Sequence, residues 1–370
     1  MKWPVDFVAN REDRRALLVL LSLPSLTARR MLEIADRLGT ATACLAAIRD
    51  GTEGSTGDGD RARRLGPDDV AERLEAIGGR LVTFREPEYP DALLDLYDPP
   101  AGLFVRGQPL DARPVKVAVV GARNCSPGGR EVSRGLGRAL SRAGASVVSG
   151  GARGIDAGAH RGALDADGST ICVLGSGLDV VYPSRHKNLL SEIADRGTLV
   201  TEYGPGIPAE PFRFPARNRL VAALATATVV VEGAAGSGSM ITVTHALELG
   251  RDVFAVPGAV TSALAAVPLE LIREGATPIR GPDDLLEDLG LASAPGGEKA
   301  ADGADLDSKF SDGERDVWRA LATTSAPDQL ASATGMPLGQ VIAALTTLEL
   351  NGFVLSVGGR YERRPASARP

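Results

Sequence analysis

Four short segments gather the residue types that hold phosphate. Gly121 to Gly129 reads GARNCSPGG, Ser149 to His160 reads SGGARGIDAGAH, Phe214 to Arg219 reads FPARNR and Gly236 to Thr242 reads GSGSMIT. Glycine lets backbone amides approach a ligand closely, and a helix opening just beyond it offers unpaired N–H groups at a positive dipole end. The candidate phosphate contacts are Gly121, Arg123 and Asn124 in the first segment and Ser149, Gly150, Gly151 and Gly154 in the second. The third adds Arg217, Asn218 and Arg219, and the fourth adds Ser237, Gly238, Ser239 and Thr242. Arg123 stands two residues past a strand end, where its guanidinium, whose fork matches phosphate geometry, can reach across the strand ends. Arg217 and Arg219 fall on different sides of Asn218, which leaves one to face a ligand and the other to pair internally. Asp156, in a first helical turn, reads as a cap or loop-ordering group rather than a catalyst, because carboxylates favour helix N-termini.

These segments need a scaffold that brings them to one edge. Five apolar runs, VKVAVVG, ASVVSGG, TICVLGSG, ATVVVEGAAGSGS and DVFAVPG, each end in glycine and precede a helical pattern. That alternation predicts an α/β fold with a parallel sheet, whose ligands bind outside the strand carboxyl ends. After the third run, Tyr182 and Pro183 form a turn, and Arg185, His186 and Lys187 open a helix with a basic first turn that opposes its dipole.

In this order the motifs GxR, SGxAxGID, YP, FPxRNR and SGSxxT resemble those of the DNA-processing protein A family, also called Smf. The likeness extends upstream through REPEYPDALLDLYDPPAGLFVRG and downstream into LIREGA, covering roughly Phe84 to Leu289. It implies an extended Rossmann domain, Lys187 as a second backbone-phosphate contact, and a cytosolic, homodimeric protein that binds single-stranded DNA without catalysis. It further implies delivery of incoming DNA to the RecA recombinase in natural transformation. The chain departs from the family at Val267 and Leu269, where relatives usually carry Gly and Asn.

The resulting organisation is a helical module at 1–82, similar to a sterile-alpha-motif or helix-hairpin-helix unit, an extended Rossmann domain at 83–291, a linker at 292–308 and a winged helix at 309–364. In the first module the turn LPSLTARR lacks the glycine with which such units contact DNA, so a structural or interaction role is expected, and GTEGSTGDGDRARRLG reads as a flexible insertion. In the last, PLGQVIAALTTLELNG offers no Lys, Arg or Asn before Asn351. This favours a protein-interaction or dimer-modulating module, with Arg360, Arg363 and Arg364 as the remaining DNA-facing candidates.

Composition bounds the function. The 370 residues carry 41 Lys and Arg against 47 Asp and Glu, an acidic whole, yet Val115 to Val260 holds 15 basic against 12 acidic residues, 13 of them arginine. That stretch is where an anion is expected. Cys44, Cys125 and Cys172 lack metal-ligand spacing, and their odd number argues against a disulfide framework. His160 and His245 sit in helical patterns among small residues, so neither is expected to bind metal. No apolar run reaches the roughly 18 residues of a membrane span, and a cytoplasmic location is expected.

Rival activities fail on particular residues. GARNCSPGG is not G-x-G-x-x-G, and the second strand ends in SGG with no acid for a ribose hydroxyl, which argues against a nicotinamide dehydrogenase. A nucleoside-monophosphate phosphoribohydrolase, the closer alternative, carries PGGxGTxxE where this chain has GAAGSGSMITVTHALE, with no acid near the turn. A winged-helix transcription factor would read duplex sequence. No Walker lysine motif occurs, and no cofactor is expected. Aromatics make up 4% of the chain, with Tyr182, Tyr203, Phe212 and Phe214 near the binding edge, so base discrimination should be slight and affinity should depend on several pockets acting together.

Overall fold

The computed structural model describes residues 2–110, 112–291, 310–321 and 323–364. The chain divides into two units, 1–292 and 293–370.

In the first unit a nine-stranded sheet runs in the order β1-β2-β6-β5-β4-β3-β7-β8-β9. Its strands are β1 (Gly79–Thr83), β2 (Gly102–Gly107), β3 (Lys116–Val120), β4 (Ser146–Ser149), β5 (Thr170–Val173), β6 (Thr198–Thr201), β7 (Ala227–Val230), β8 (Asp252–Ala255) and β9 (Thr277–Pro278). The five glycine-terminated runs are β3, β4, β5, β7 and β8, all parallel. The strands β1 and β2 lie outside that set and pair antiparallel, β2 also running antiparallel to β6. Because β3 lies between β4 and β7, the strand order reverses there, leaving a crevice at the carboxyl ends of the three.

Five helices lead into the sheet: α1 (Arg11–Leu20), α2 (Ala28–Leu38), α3 (Ala41–Asp50), α4 (Thr56–Arg64) and α5 (Pro67–Ala76). Leu17, Leu20, Ile34 and Ile48 from these helices share one buried cluster with Phe104, Cys172 and Leu199 from the sheet. The boundary drawn between residues 82 and 83 therefore falls inside β1, and the helical layer is continuous with the sheet's core. The expected flexible insertion is also ordered. Ser55 caps α4 through the Asp58 amide at 3.1 Å, while the buried Asp58 carboxylate accepts from Ser55 Oγ at 2.7 Å and the Ser25 amide at 3.1 Å. That capping overcomes the weak helix propensity of its glycines.

The sheet's own helices are α6 (Pro127–Arg142), α7 (Ile155–Asp165), α8 (Lys187–Arg196), α9 (Arg213–Leu224), α10 (Ser239–Glu248), α11 (Ala266–Arg273) and α12 (Pro282–Asp288). The starts of α7 and α10 line the crevice after β4 and β7, and α6 follows β3 by one short loop.

The second unit contains α13 (Asp312–Ala320), α14 (Pro327–Thr334), α15 (Leu338–Leu350) and the antiparallel pair β10 (Val354–Val357) and β11 (Arg360–Arg363). Phe310, Trp318 and Phe353 form its aromatic core. Three helices and a hairpin make a winged helix. The expected linker lies outside the described residues. No helix among the described residues is long and apolar enough to cross a membrane.

Candidate nucleic-acid interface

The crevice opens as a recess of about 490 Å³. Gly121, Arg123 and Asn124 come from the loop after β3, Gly150 and Asp156 from the turn after β4, and Ser237, Gly238, Ser239 and Thr242 from the loop after β7. Helix α9 closes it with Phe214, Arg217 and Asn218. Three loops and a helix distant in sequence thus converge, and ten of the residues expected to meet phosphate line one cavity.

Arg217 is the floor of this site. Only 4% of it is exposed, no carboxylate lies within ion-pairing distance among the described residues, and its Nε has no partner. Burial pushes its pKa down, an effect that the nearby Asp156 only partly offsets. A guanidinium kept from water without a counter-ion is costly unless a ligand supplies the charge. Gly150 makes room for it, since a Cβ there would occupy the position of the guanidinium.

Asp156 orders the turn. Its carboxylate accepts from the amides of Gly150 and Ala152, both at 3.2 Å, and burial pushes its pKa up. Gly154, with φ of +79°, lies so close to the Ala122 and Arg123 carbonyls that a Cβ would collide with both. This contact stacks the second turn on the first.

Arg219 shows the other fate. It is 6% exposed and bonds Glu202 at 2.7 Å and Asp98 at 3.0 Å. Burial works against its charge, but the two carboxylates outweigh that and raise its pKa. It faces a separate recess beside Pro24 to Arg29, away from the crevice. Across Asn218, Arg219 is paired internally and Arg217 lines the crevice. Asn218 ties the walls together by donating to the Gly238 carbonyl at 3.2 Å.

Two further recesses adjoin the crevice at Arg123. One, of about 340 Å³, contains Gly151, Tyr182, Arg185 and Phe214. Tyr182 stacks on Phe214 with ring centroids 5.0 Å apart, and the Arg123 guanidinium lies 5.5 Å from the Phe214 ring centre. The other, of about 510 Å³, contains Gly154 and an arginine cluster. Among the remaining aromatics, Tyr203 and Phe212 flank the buried Arg213 at 5.4 and 4.8 Å and lie on the Arg219 side.

Three expected contacts do not reach these recesses. Ser149 is fully buried, its hydroxyl donating to the Val119 carbonyl at 2.7 Å, because as the last residue of β4 it points into the sheet's packing. Arg219 is held by its carboxylates. Lys187 opens α8 with an exposed side chain outside all three linings, where Arg185, two residues earlier, stands instead.

His160 is fully buried and bonds Thr170 Oγ1 through Nδ1 at 2.7 Å, and His245 pairs with Glu248 at 3.1 Å, a carboxylate partner that sequence reasoning had not assigned. Sequence reasoning also passed over Glu232. Its carboxylate accepts from the Ser126 amide at 2.8 Å and Ser126 Oγ at 2.6 Å, joining the β7 loop to the cap of α6. In the winged helix, Arg363 lies 4.6 Å over Trp318 and Arg360 bonds Gln329, so both cations turn back onto their own domain. The exposed positions of α15 include Leu338, Ile342 and Leu350.

Known proteins are similar to this chain in sequence and fold. The family described as DNA recombination-mediator protein A matches residues 80–290, and the DprA winged helix domain matches residues 298–360. The putative DNA processing protein DprA of Mycobacterium tuberculosis is 38% identical over 322 residues, covering 81% of this chain and 82% of that protein. Protein Smf of Escherichia coli is 35% identical over 301 residues, covering 78% and 79%. Among solved structures, DNA processing protein A of Streptococcus pneumoniae superposes with a TM-score of 0.63 at 33% identity, over 75% of this chain and 98% of that one. The Helicobacter pylori DNA processing protein A, described for its single-stranded DNA binding mode, superposes with a TM-score of 0.52 at 32% identity, over 57% and 95%. Matched along both its sheet domain and its winged helix, the chain belongs to the DNA recombination-mediator protein A family.

Proposed function

We propose that this protein binds single-stranded DNA without regard to base sequence, holding a backbone phosphate between Arg217 and Arg123, and passes the strand to the RecA recombinase during DNA uptake. The observation that carries this reading is Arg217, a buried guanidinium with no ion-paired carboxylate among the described residues and only partial compensation from Asp156, facing a cavity rimmed by Arg123 and the glycine and serine loops. A phosphodiester supplies the missing charge. Beside it the stacked Tyr182 and Phe214 offer an aromatic face, against which any unpaired base can stack without being read by hydrogen bonds. A duplex keeps its base faces covered by neighbouring pairs, so a single strand fits this combination better. The Helicobacter pylori relative, described for binding single strands, supports the assignment.

Among the described residues the site brings together groups that can bind and orient phosphate and no paired nucleophile and base, so we infer a binding role without catalysis. One pocket with few aromatics gives modest affinity, and a cytoplasmic homodimer would place two pockets on one strand and gain by avidity. Titration against oligothymidylate and the matching duplex tests the reading: tight binding to the single strand alone supports it, and equal or stronger duplex binding overturns it.

A further inference from the structure

The recess beside α6 and α7 is lined by Arg123, Arg130, Arg134, Arg153, Arg161 and Arg185, with no carboxylate among the lining residues. Arg134 and Arg161 reach Asp165 and Glu192, both at 2.5 Å, whereas Arg130, Arg153 and Arg185 have no carboxylate partner among the described residues. With Arg134 and Arg161 paired, the four other guanidiniums around about 510 Å³ still repel one another, and a single phosphate cannot offset them. A run of consecutive phosphates can. The recess is also continuous with the crevice: Arg123 and Asn124 line both, and Arg153 and Arg185 line the aromatic recess as well.

We propose that this arginine groove carries the continuation of the strand, taking the phosphates that follow the one held at Arg217, so that the DNA leaves the crevice across the starts of α6 and α7. The inference rests on the single-strand reading and adds a direction and a longer footprint to it. It also distinguishes the ligand class, since a mononucleotide or a free phosphate would fill the crevice and leave the groove's charge unmet. Packing of α6 on α7 makes the groove rigid, as Gly158 lies so close to Ser133 and the Arg130 carbonyl that no side chain fits between them.

The test compares wild type with an Arg130→Gln, Arg134→Gln variant on oligothymidylates of about 4 and about 16 nucleotides, lengths that bracket the footprint of one binding domain. Both residues are exposed on α6, outside the crevice, and the Arg134–Asp165 pair that is lost lies on the surface, so the fold should stay intact. The longer oligonucleotide should bind the variant about tenfold or more weakly, with a salt slope flatter by about 1.4, two contacts at roughly 0.7 each. The shorter one should bind both proteins alike. Equal losses at both lengths, or none at either, overturn the groove assignment. Failure of wild type to bind either length contradicts the single-strand reading itself and removes the groove with it. A second readout uses Cys125, which lines the groove while Cys44 and Cys172 are buried. The longer oligonucleotide should slow maleimide labelling of Cys125, and undiminished labelling at saturation overturns the proposal.

Discussion

Arg217 and Arg219, two residues apart on α9 and 4% and 6% exposed, have opposite electrostatic surroundings: Arg219 bonds two carboxylates at 2.7 and 3.0 Å, and Arg217 bonds none. Replacing each with methionine should therefore act in opposite directions. Arg219→Met strips the partner from Glu202 and Asp98 and should destabilise the fold by about 3–5 kcal/mol, the usual result of breaking a buried pair. Arg217→Met removes a buried charge that Asp156 only partly offsets and should leave the melting temperature unchanged or raised while single-strand binding weakens. Thermal unfolding of the two variants side by side checks this, and a large loss of stability in Arg217→Met would show that its charge is compensated within the fold.

Glu232 is expected to set the spacing of the crevice walls. Glu232→Ala removes two charged hydrogen bonds to Ser126, worth about 1.5–3 kcal/mol each at most, and frees the loop carrying Arg123 from the loop carrying Ser237. The variant should melt lower and bind a short oligothymidylate more weakly, and Glu232→Gln should recover part of both. Binding unchanged in a folded Glu232→Ala protein would remove the positioning role.

Much of this was legible in the sequence, for a physical reason. Strands that end at a ligand edge must turn tightly there, so β3, β4, β5, β7 and β8 each advertise themselves by terminal glycine. The strand β6 has no such signal: Thr198 to Thr201 is four residues long and wholly buried, which gives neither alternation nor a ligand turn. The antiparallel β1 and β2 carry no phosphate loop and stayed hidden for the same reason. Which arginine of FPARNR meets the ligand depended on Glu202 and Asp98, far away in sequence and brought close only by folding. Ser149 lay in a phosphate-type motif but ends its strand on the inward side, a matter of pleat phase rather than composition. The arginine groove was invisible because its members are spread from Arg123 to Arg185 with no local pattern.

Stability should fall on both sides of neutrality. Burial, with Arg217 and His186 nearby, holds His160 down at about 3 from 6.5. Below pH 6.5 the unfolded chain takes up a proton that the folded state refuses, so the His160 contribution, present above 6.5, is lost as pH falls toward 3, at no more than about 1.4 kcal/mol per unit. Burial pushes Cys44 and Cys172 up to about 12 from 9.0, and stability present below 9.0 is lost as pH rises through that interval. Denaturant unfolding as a function of pH checks both limbs. His160→Gln should flatten the acid limb, and an unchanged acid slope in that variant would remove His160 as a cause.

Avidity requires an assembly. Light scattering at micromolar protein should give a dimer, and a dilute or interface-disrupted monomer should bind oligothymidylate more weakly. A monomer with undiminished affinity would remove the avidity argument, and failure to stimulate RecA loading on protected single strands would remove the loader role.

The central claim is that a strand's phosphate completes the charge of Arg217 and Arg123. Its most direct test is the salt dependence of oligothymidylate binding by wild type, Arg123→Ala and Arg217→Met. Wild-type affinity should fall steeply with salt, and each variant should bind more weakly with a slope flatter by about 0.7, one phosphate contact. Wild-type affinity and slope retained in both folded variants would contradict the account.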